Sequence, residues 1–314
     1  MVKDLSREGR VVVVTGAGTG LGRAYALYLA KLGWRVVVNN RRRPASDSGL
    51  APSSADAVVE DIRRVGGHAI AQYDDVRAEG AGQRMLETAL NTWGRLDALV
   101  NNAGVDQHAP FHKISLASFH DIFRTNFDGT VAVTHAIYPY LRDRADGAIV
   151  VSVSSAGLHG LHGLSAYAAS KAALIAFARS LSAEGASRNV RVSAVAPYAA
   201  TRMTDAHLTT ELRAAMSPEH VTPVIAALIA PGFKLGGHTW LAGAGWVRRA
   251  GCVEWIPGFA ADDDPQRMQE RMQSMVAPGS GVAPMLPREF PDALAAHADF
   301  MASAQQGLRS RRGG

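Results

Sequence analysis

The chain has little cysteine, few aromatic side chains and no long apolar run. Its one cysteine, Cys252, excludes an internal disulfide and indicates a reducing compartment. Aromatic residues make up 7% of the chain and are not interleaved with the basic clusters at 41–43 and 309–312, so we predict no nucleic-acid partner despite a net charge of +5. No apolar run is long enough to span a bilayer, and the polar N-terminus does not resemble a signal peptide. We therefore expect a cytoplasmic protein without a membrane partner.

Apolar residues make up 47% of the chain and recur in Val- and Ala-rich runs that alternate with helical stretches. Runs with few alternating polar positions are typical of strands buried on both faces. The predicted strands are 10–16, 35–39, 68–76, 96–104, 147–155, 190–197 and 237–245, and the predicted helices are 20–33, 54–66, 82–93, 115–144, 165–188 and 207–229. This alternation predicts an α/β fold, a Rossmann-type doubly wound parallel sheet of about seven strands with helices on both faces.

The composition changes near residue 250. Residues 251–314 contain six prolines and little strand signal. We predict a dinucleotide-binding and catalytic domain over 1–250, followed by an extension over 251–314 that packs on the core or on a neighbouring subunit. The tip after Gly307 is predicted to be disordered.

The segment TGAGTGLG (15–22) follows a predicted strand and opens a predicted helix. Glycines in that context let the backbone turn tightly and approach a pyrophosphate, whose charge the helix N-terminus favours. The alternative is a flexible turn without a ligand. The predicted dinucleotide contacts in this segment are Gly16, Thr19, Gly20, Leu21 and Gly22.

The second predicted strand ends in VVVNNRRR, where dinucleotide folds that bind NAD carry an acidic residue. This chain has Asn40 there, followed by Arg41. Asparagine does not repel a 2′-phosphate and arginine can bind it, so the pattern favours NADP, with NAD possible. The alternative is a solvated basic loop.

Tyr167 and Lys171 are four residues apart in an Ala-rich stretch predicted to be helical, and so share one helix face. A phenol is ordinarily a poor acid, but a neighbouring positive charge lowers its pKa and makes it useful as a proton donor. Taken alone, the pair also fits a helix with one core tyrosine and one solvated lysine.

Four motifs together carry a family resemblance. TGAGTGLG (15–22), NNAG (101–104), SSAG (154–157) and YAASK (167–171) occur in the order and spacing of the short-chain dehydrogenase/reductase family, over about residues 8–250. Within it the chain is most similar to the (3R)-hydroxyacyl-CoA dehydrogenase portions of peroxisomal multifunctional enzymes, in GRVVVVTGAGTGLGRAYAL, APYAATRMT and GAGWV. The chain ends in RRGG rather than in a peroxisomal signal.

The resemblance implies four catalytic residues. Tyr167 resembles the general acid/base, and Lys171 the lysine that lowers its pKa and holds the nicotinamide ribose. Ser154 stands at the spacing of the serine that hydrogen-bonds the substrate oxygen, with Ser152 and Ser155 as nearby competitors. Asn126 resembles the asparagine that anchors a water in the proton relay.

The resemblance also implies further cofactor contacts. They are Asp75 and Val76 near adenine, Asn102, Ala103 and Gly104 along the adenosine, Tyr167 and Lys171 at the ribose, and Pro197 and Thr201 at the carboxamide. Tyr198 replaces the glycine that usually follows the proline.

Four histidines, namely His108, His112, His159 and His162, fall in predicted loops around this site. Their spacing fits no zinc template and no cysteine assists them, so we predict no metal. His159 and His162 are expected to shape the substrate pocket instead.

The resulting hypothesis is an NADP-preferring oxidoreductase that interconverts a small-molecule ketone and a secondary alcohol. Its substrate is either a ketone of secondary metabolism or a 3-hydroxyacyl thioester. The alternatives are an NAD-dependent (3R)-hydroxyacyl-CoA or hydroxysteroid dehydrogenase and a non-catalytic dinucleotide-binding protein. The resemblance further implies a homodimer or homotetramer.

Overall fold

A computed structural model describes most of the chain. The described residues are 9–41, 54–200, 210–256, 265–276, 286–289, 295–296 and 298–302. The strands are β1 (Val11–Val14), β2 (Arg35–Asn39), β3 (His68–Gln72), β4 (Ala98–Asn101), β5 (Gly147–Ser152), β6 (Val190–Pro197), β7 (Thr239–Gly243), β8 (Trp246–Ala250), β9 (Val253–Ile256) and β10 (Leu286–Glu289). The α-helices are α1 (Gly20–Lys31), α2 (Ser54–Arg64), α3 (Ala81–Trp93), α4 (Leu116–Phe123), α5 (Gly129–Asp143), α6 (Ser155–His159), α7 (Ser165–Gly185), α8 (Thr210–Ala215), α9 (Thr222–Ile229) and α10 (Pro265–Val276).

The first eight strands form one sheet in the order β3-β2-β1-β4-β5-β6-β7-β8. Strands β1 to β7 run parallel, and Val13 on β1 pairs with Val37 on β2 and Leu99 on β4. The strand order reverses at β1. The connection that follows β1 leads toward β2 and one edge of the sheet, whereas the connection that follows β4 leads toward β5 and the other edge. In open α/β sheets such a switch point opens a crevice at the carboxyl ends of the strands. The predicted fold class is confirmed.

The valines of β1 explain why both faces of the sheet are covered. Val12 and Val14 pack with α1, α2 and α9 in one apolar cluster, whereas Val11 and Val13 pack with α3, α5 and α7 in the other. All four side chains are fully buried. Because successive side chains point to opposite faces, a strand buried on both sides needs an uninterrupted apolar run, which VVVV supplies.

The edge of the sheet differs from the prediction of a single last strand over 237–245. Strand β7 turns through Ala244 and Gly245, both with positive φ, and returns as antiparallel β8. A two-residue turn of this kind matches the twist of a hairpin. The sequence run WVRRA hides β8 because four of its five side chains are exposed, so no apolar run marks it.

The predicted helix over 115–144 is interrupted. Helix α4 passes into a π-helical segment, Arg124–Asp128, before α5 begins at Gly129. A single π-turn inside a helix is rare and is found mostly at functional sites. Asn126 lies in the middle of this segment.

The chain divides into two compact units, Met1–Ala250 and Gly251–Gly314. Among the described residues of the second unit, β9 and β10 pair antiparallel, and α10 has 12 residues. The predicted disordered tip and Thr201 lie outside the described residues. Within the described ranges, no helix is both long and apolar enough to cross a membrane.

Candidate active site

The turn between β1 and α1 forms a close-packed glycine cradle. Gly16 and Gly20 have φ values of +64° and +54°, a region that glycine adopts without strain. A Cβ atom on Gly16 would lie 2.8 Å from the Cα atom of Ala103, and one on Gly22 would collide with the Gly16 carbonyl oxygen. Because nothing larger than glycine fits, the loop after β4 and the start of α1 are held in close contact.

The first turn of α1 contains the remaining residues predicted to hold a pyrophosphate. Thr19 is the N-cap, and Gly20, Leu21 and Gly22 follow it. Their backbone N–H groups have no acceptor within the helix, and the helix N-terminus carries a partial positive charge. No acidic residue lies in this turn. An anionic diphosphate therefore fits the cradle.

The NNAG loop supports the cradle from the next strand. The hydroxyl oxygen of Thr15 accepts hydrogen bonds from the backbone N–H groups of Asn102 and Ala103, at 3.0 and 3.1 Å. The Asn102 side chain donates to the carbonyl oxygens of Thr15 and Gly16, at 3.1 and 3.3 Å. Asn102 thus joins β4 to the glycine turn, and its side-chain amide is used for that purpose. Thr15 is a site residue that the sequence motif did not single out.

The end of β2 is fixed by two asparagines. Asn39 is buried and donates to the side-chain oxygen of Gln72 at 2.6 Å. Asn40 donates to the Ser54 hydroxyl at 2.6 Å, and its side chain lies against Gly18, where a Cβ atom would come within 2.7 Å of it. The residue at the predicted ribose position is therefore neutral and faces the glycine turn.

Arg41, predicted to grip a 2′-phosphate, is paired with a carboxylate. Its NH1 atom lies 3.2 Å from Oδ2 of Asp75, and its side chain is half-exposed. Asp75 had been predicted as an adenine contact, next to Val76, which is buried. The structure thus brings two predicted cofactor residues into one ion pair, which the motifs did not indicate.

Helix α7 positions the lysine of the predicted catalytic set. Lys171 is buried, and its Nζ donates to the Ser152 carbonyl oxygen at the end of β5, at 2.7 Å. Burial lowers the pKa of Lys171 to about 8. Nζ lies 5.7 Å from the ring centroid of Tyr167, and a Cβ atom on Gly104 would be 3.5 Å from it. The lysine therefore stands between the tyrosine and the NNAG loop.

The Ser154 side chain interacts with the Tyr167 hydroxyl and acts to lower its pKa. Ser154 caps α6, where its Oγ accepts the backbone N–H of Ala156 at 3.1 Å. Burial raises the pKa of Tyr167, the Ser154 hydrogen bond opposes the rise, and the negative charge of Asp106 adds to it. The net direction is opposite to that expected from Lys171 alone, because burial outweighs every other influence.

Asn126 joins the loop between β4 and α4 (102–115, which we name the substrate loop) to α7. Its Oδ1 accepts the Val105 N–H at 2.8 Å, while its Nδ2 donates to the Val105 carbonyl at 2.9 Å and to the Ser170 hydroxyl at 3.0 Å. Ser170 in turn donates to the Tyr167 carbonyl at 2.7 Å. The π-helical turn places this fully buried amide one helix away from the tyrosine. Its predicted role at a water stays a prediction.

Comparison with known proteins agrees with this geometry. The family model described as short chain dehydrogenase matches residues 10–216. The chain belongs to the short-chain dehydrogenase family. It is therefore an oxidoreductase, and it resembles proteins named peroxisomal multifunctional enzyme type 2 and peroxisomal hydratase-dehydrogenase-epimerase.

This short-chain dehydrogenase is similar to two curated relatives and one solved structure that differ in length and organism. It is 38% identical over 255 residues to peroxisomal multifunctional enzyme type 2 of Mus musculus, which covers 81% of this chain and 34% of that protein. It is 38% identical over 242 residues to a short-chain type dehydrogenase/reductase of Mycobacterium tuberculosis, covering 77% and 85%. The crystal structure of a short chain dehydrogenase from Mycobacterium avium matches with a TM-score of 0.77 and 33% identity, covering 88% of this chain and 97% of that one.

The dehydrogenase uses a nicotinamide cofactor of the NAD(P) type, as its family does. The glycine cradle and the first turn of α1, which has no acidic residue, fit its diphosphate, and Asn40, at the predicted ribose position, is neutral. Pro197 ends β6, and the following Tyr198 is 43% exposed. The backbone N–H of Tyr198 donates to the Ala242 carbonyl at 2.8 Å, which fixes the start of the loop predicted to meet the carboxamide.

Asp106 is a site residue of this dehydrogenase that the sequence analysis missed. It follows Val105, which Asn126 holds at both its N–H and its carbonyl. Three residues on, the Ala109 N–H donates to the Gly163 carbonyl at 2.8 Å. The loop is thus anchored on both sides of a half-buried carboxyl whose pKa is raised, chiefly by burial. The aspartate is visible in the sequence VDQH, but only the fold shows that Asp106 lies close enough to Tyr167 to act on its pKa.

We expect an Asp106→Asn variant to have a lower pKa for Tyr167, because removing the carboxylate removes a charge that disfavours the phenolate. Tyrosine labelled with ¹³C at Cζ reports the titration by NMR, and Tyr167→Phe identifies the resonance. Asp143→Asn, an exposed aspartate at the end of α5, is the control and should leave the titration midpoint unchanged. An unchanged midpoint in the Asp106 variant would contradict the expectation.

Of the four histidines predicted to lie in loops around the site, His108 lies in the loop after β4, whereas His159 lies in α6. The His108 ring packs against Gly163, where a Cβ atom would lie 2.6 Å from it, and His159 ends α6. Within the described parts of the chain, no three His, Cys, Asp or Glu side chains are placed to share a metal ion.

Proposed function

We propose that the protein is an NADP-preferring oxidoreductase that interconverts a ketone and a secondary alcohol by hydride transfer. The observation that carries the proposal is the set of contacts around Tyr167. Its hydroxyl interacts with the Ser154 side chain, Lys171 lies beside its ring, and Asn126 holds the neighbouring loop to α7. A site with a phenol, a hydroxyl and a buried ammonium group suits proton transfer to a carbonyl oxygen.

In carbonyl reduction, Tyr167 donates its phenolic proton to the substrate oxygen, and in alcohol oxidation it accepts that proton. We infer that Ser154 shares the same oxygen, and its interaction with the Tyr167 hydroxyl supports this role. These two groups stabilise the charge that develops on the oxygen. Lys171 adds a positive charge beside the ring. When bound, the nicotinamide supplies or accepts the hydride.

The first candidate substrate is a 3-hydroxyacyl thioester or its 3-oxo form. Support comes from the relatives named as multifunctional enzymes and hydratase-dehydrogenase-epimerases. The hydratase-dehydrogenase-epimerase of Saccharomyces cerevisiae is 36% identical over 259 residues, which span 29% of that protein. A ketone of secondary metabolism is the second candidate. The polar side chains of Asp106 and His108 in the substrate loop favour it, because a plain acyl chain gains nothing from them.

The NADP preference is supported by Asn40 and Arg41. Asn40 is neutral where an acidic residue would repel a 2′-phosphate, and Arg41 presents a half-exposed guanidinium next to it. Bidentate arginine–phosphate pairs are among the stronger hydrogen-bonded contacts in proteins.

We expect NADPH to bind more tightly than NADH and Arg41→Ala to weaken only NADPH. A lost charge-assisted contact is worth about 1.5–3 kcal/mol, which is about 10- to 150-fold in affinity. Fluorescence titration of the purified protein with both nucleotides checks this. Arg23→Ala is the control, since Arg23 is a half-exposed arginine of α1 paired with Asp61. Equal affinities in the unaltered protein would favour the NAD-dependent alternative.

Two further points belong to the proposal. A homodimer or homotetramer is expected through α4, α5 and α7, and sedimentation of the purified protein tests it. A cytoplasmic location is proposed because the single cysteine, Cys252, fits a reducing compartment, although several relatives are named as peroxisomal.

A further inference from the structure

The carboxylate of Asp75 lies between two arginines. Arg77 binds it with three side-chain hydrogen bonds, from Nε at 3.1 Å to each oxygen and from NH2 at 2.8 Å, and with its backbone N–H at 3.0 Å. Arg41 reaches it with NH1 alone, at 3.2 Å. The two contacts are unequal, because Arg77 holds the carboxylate in a fork and Arg41 touches it at one point.

This carboxylate is ionised at neutral pH. The hydrogen bonds from Arg77, and to a smaller extent the one from Arg41, hold the pKa of Asp75 at about 2. A permanent negative charge therefore stands 3.2 Å from the guanidinium that the proposed function assigns to a 2′-phosphate. Like charges sharing one cation compete for it.

We propose that Asp75 determines nucleotide selectivity by competing with the 2′-phosphate for Arg41. Arg77 is a positioning residue in this proposal, because its hydrogen bonds to the Asp75 carboxylate weaken the hold of that carboxylate on Arg41. The proposal rests on the proposed function, in that Arg41 must be the phosphate contact. The affinity for a nucleotide without the 2′-phosphate does not depend on this competition. The ratio of affinities, rather than either affinity alone, is what Asp75 controls.

The neighbouring charges leave Asp75 as the acidic group placed for this role. Asp74, one residue earlier, is held in a fork by Arg84 at 3.0 and 2.9 Å. Asp121 on α4 acts on Arg77. Within the described residues, Asp75 is the carboxylate that forms an ion pair with Arg41.

The test uses the purified full chain and calorimetric titration with two probes, adenosine 2′,5′-bisphosphate and 5′-AMP, which differ only in the 2′-phosphate. Asp75→Asn keeps the shape and removes the charge, and we expect the bisphosphate to gain about two- to fivefold over 5′-AMP, the range of an exposed ion pair. Any contact of residue 75 with adenine cancels in that ratio.

Arg77→Ala is expected to lower the same ratio by about two- to fivefold, because the freed carboxylate then binds Arg41 more strongly. The control is Arg84→Ala, which removes an arginine of similar exposure from the neighbouring Asp74. When Asp75 is already replaced by asparagine, Arg77→Ala should change the affinity ratio no more than this control does. Circular dichroism and melting temperature verify that each variant is folded.

The outcomes separate the two proposals. If Asp75→Asn leaves the ratio unchanged or lowers it while Arg41→Ala still weakens the bisphosphate, the role of Asp75 is refuted and the NADP preference stands. If Arg41→Ala leaves the ratio unchanged, the phosphate contact itself is refuted. An Arg77→Ala effect that persists at full size in the Asp75→Asn background would mean that Arg77 binds the phosphate directly, which overturns its positioning role.

Discussion

A Tyr167→Phe variant is expected to lose nearly all turnover while binding its nicotinamide cofactor as tightly as the unaltered protein. The substitution removes only the hydroxyl that Ser154 contacts, and the ring remains beside Lys171. Proton transfer by a positioned side chain contributes about 10²- to 10⁴-fold, so the rate should fall by that factor. Steady-state reduction of acetoacetyl-CoA and of a panel of simple ketones with NADPH measures the rate, and fluorescence titration measures the binding.

Tyr25→Phe is the matched control for this experiment. Tyr25 is fully buried in α1, and its hydroxyl has no hydrogen-bond partner in the described part of the chain. Removing that hydroxyl should leave both turnover and cofactor binding unchanged. Substantial turnover in Tyr167→Phe would refute the acid/base assignment. If neither the unaltered protein nor either variant turns over while all bind the cofactor, the non-catalytic dinucleotide-binding alternative gains.

The expected pH dependence follows from the raised pKa of Tyr167. Below that pKa the phenol is protonated and ready to donate, so ketone reduction should hold its rate across neutral pH and fall only as the phenol ionises in the alkaline range. Alcohol oxidation needs the phenolate as the proton acceptor, so its rate should rise with pH. The opposite slopes come from one group used in two directions.

The parts of the fold that the sequence predicted are those set by local pattern. Uninterrupted apolar runs such as VVVV mark strands buried on both faces, and β2 and β6 begin and end where the sequence analysis placed them. Tyr167 and Lys171 share a helix face as their spacing requires. The glycine turn sits between a strand and a helix because only glycine fits the contacts at Gly16 and Gly22.

The features that the sequence did not predict depend on contacts between distant segments. Arg41 and Asp75 are 34 residues apart and meet because β2 and β3 are neighbours whose ends coincide. The direction of the Tyr167 pKa depends on burial and on Asp106, neither of which a Y-x-x-x-K spacing contains. The π-helical turn at Asn126 has no local marker, because RTNFD reads as ordinary helix.

Lys171→Met is expected to make the protein more stable and nearly inactive. Burial lowers the pKa of this lysine from its usual 10.5 to about 8, so the unfolded chain holds more protons than the native one between those values, and native stability rises with pH across that window. At pH 7 the buried charge costs about 3 kcal/mol on this scale. The substitution also removes the hydrogen bond to the Ser152 carbonyl, and this loss lowers the stability of the variant by about 1 kcal/mol.

The net gain of about 2 kcal/mol corresponds to a rise in melting temperature of about 4–8 °C for a domain of this size. Removing a charge that acts on the reacting oxygen should lower turnover by about 10²-fold or more. Lys31→Met, an exposed lysine in the last turn of α1, is the control and should change neither quantity. A gain in stability together with a loss of turnover is the pattern of a residue kept for function at the expense of the fold. A Lys171→Met protein that melts lower than the unaltered one would instead make the lysine a structural element, held by its bond to the end of β5.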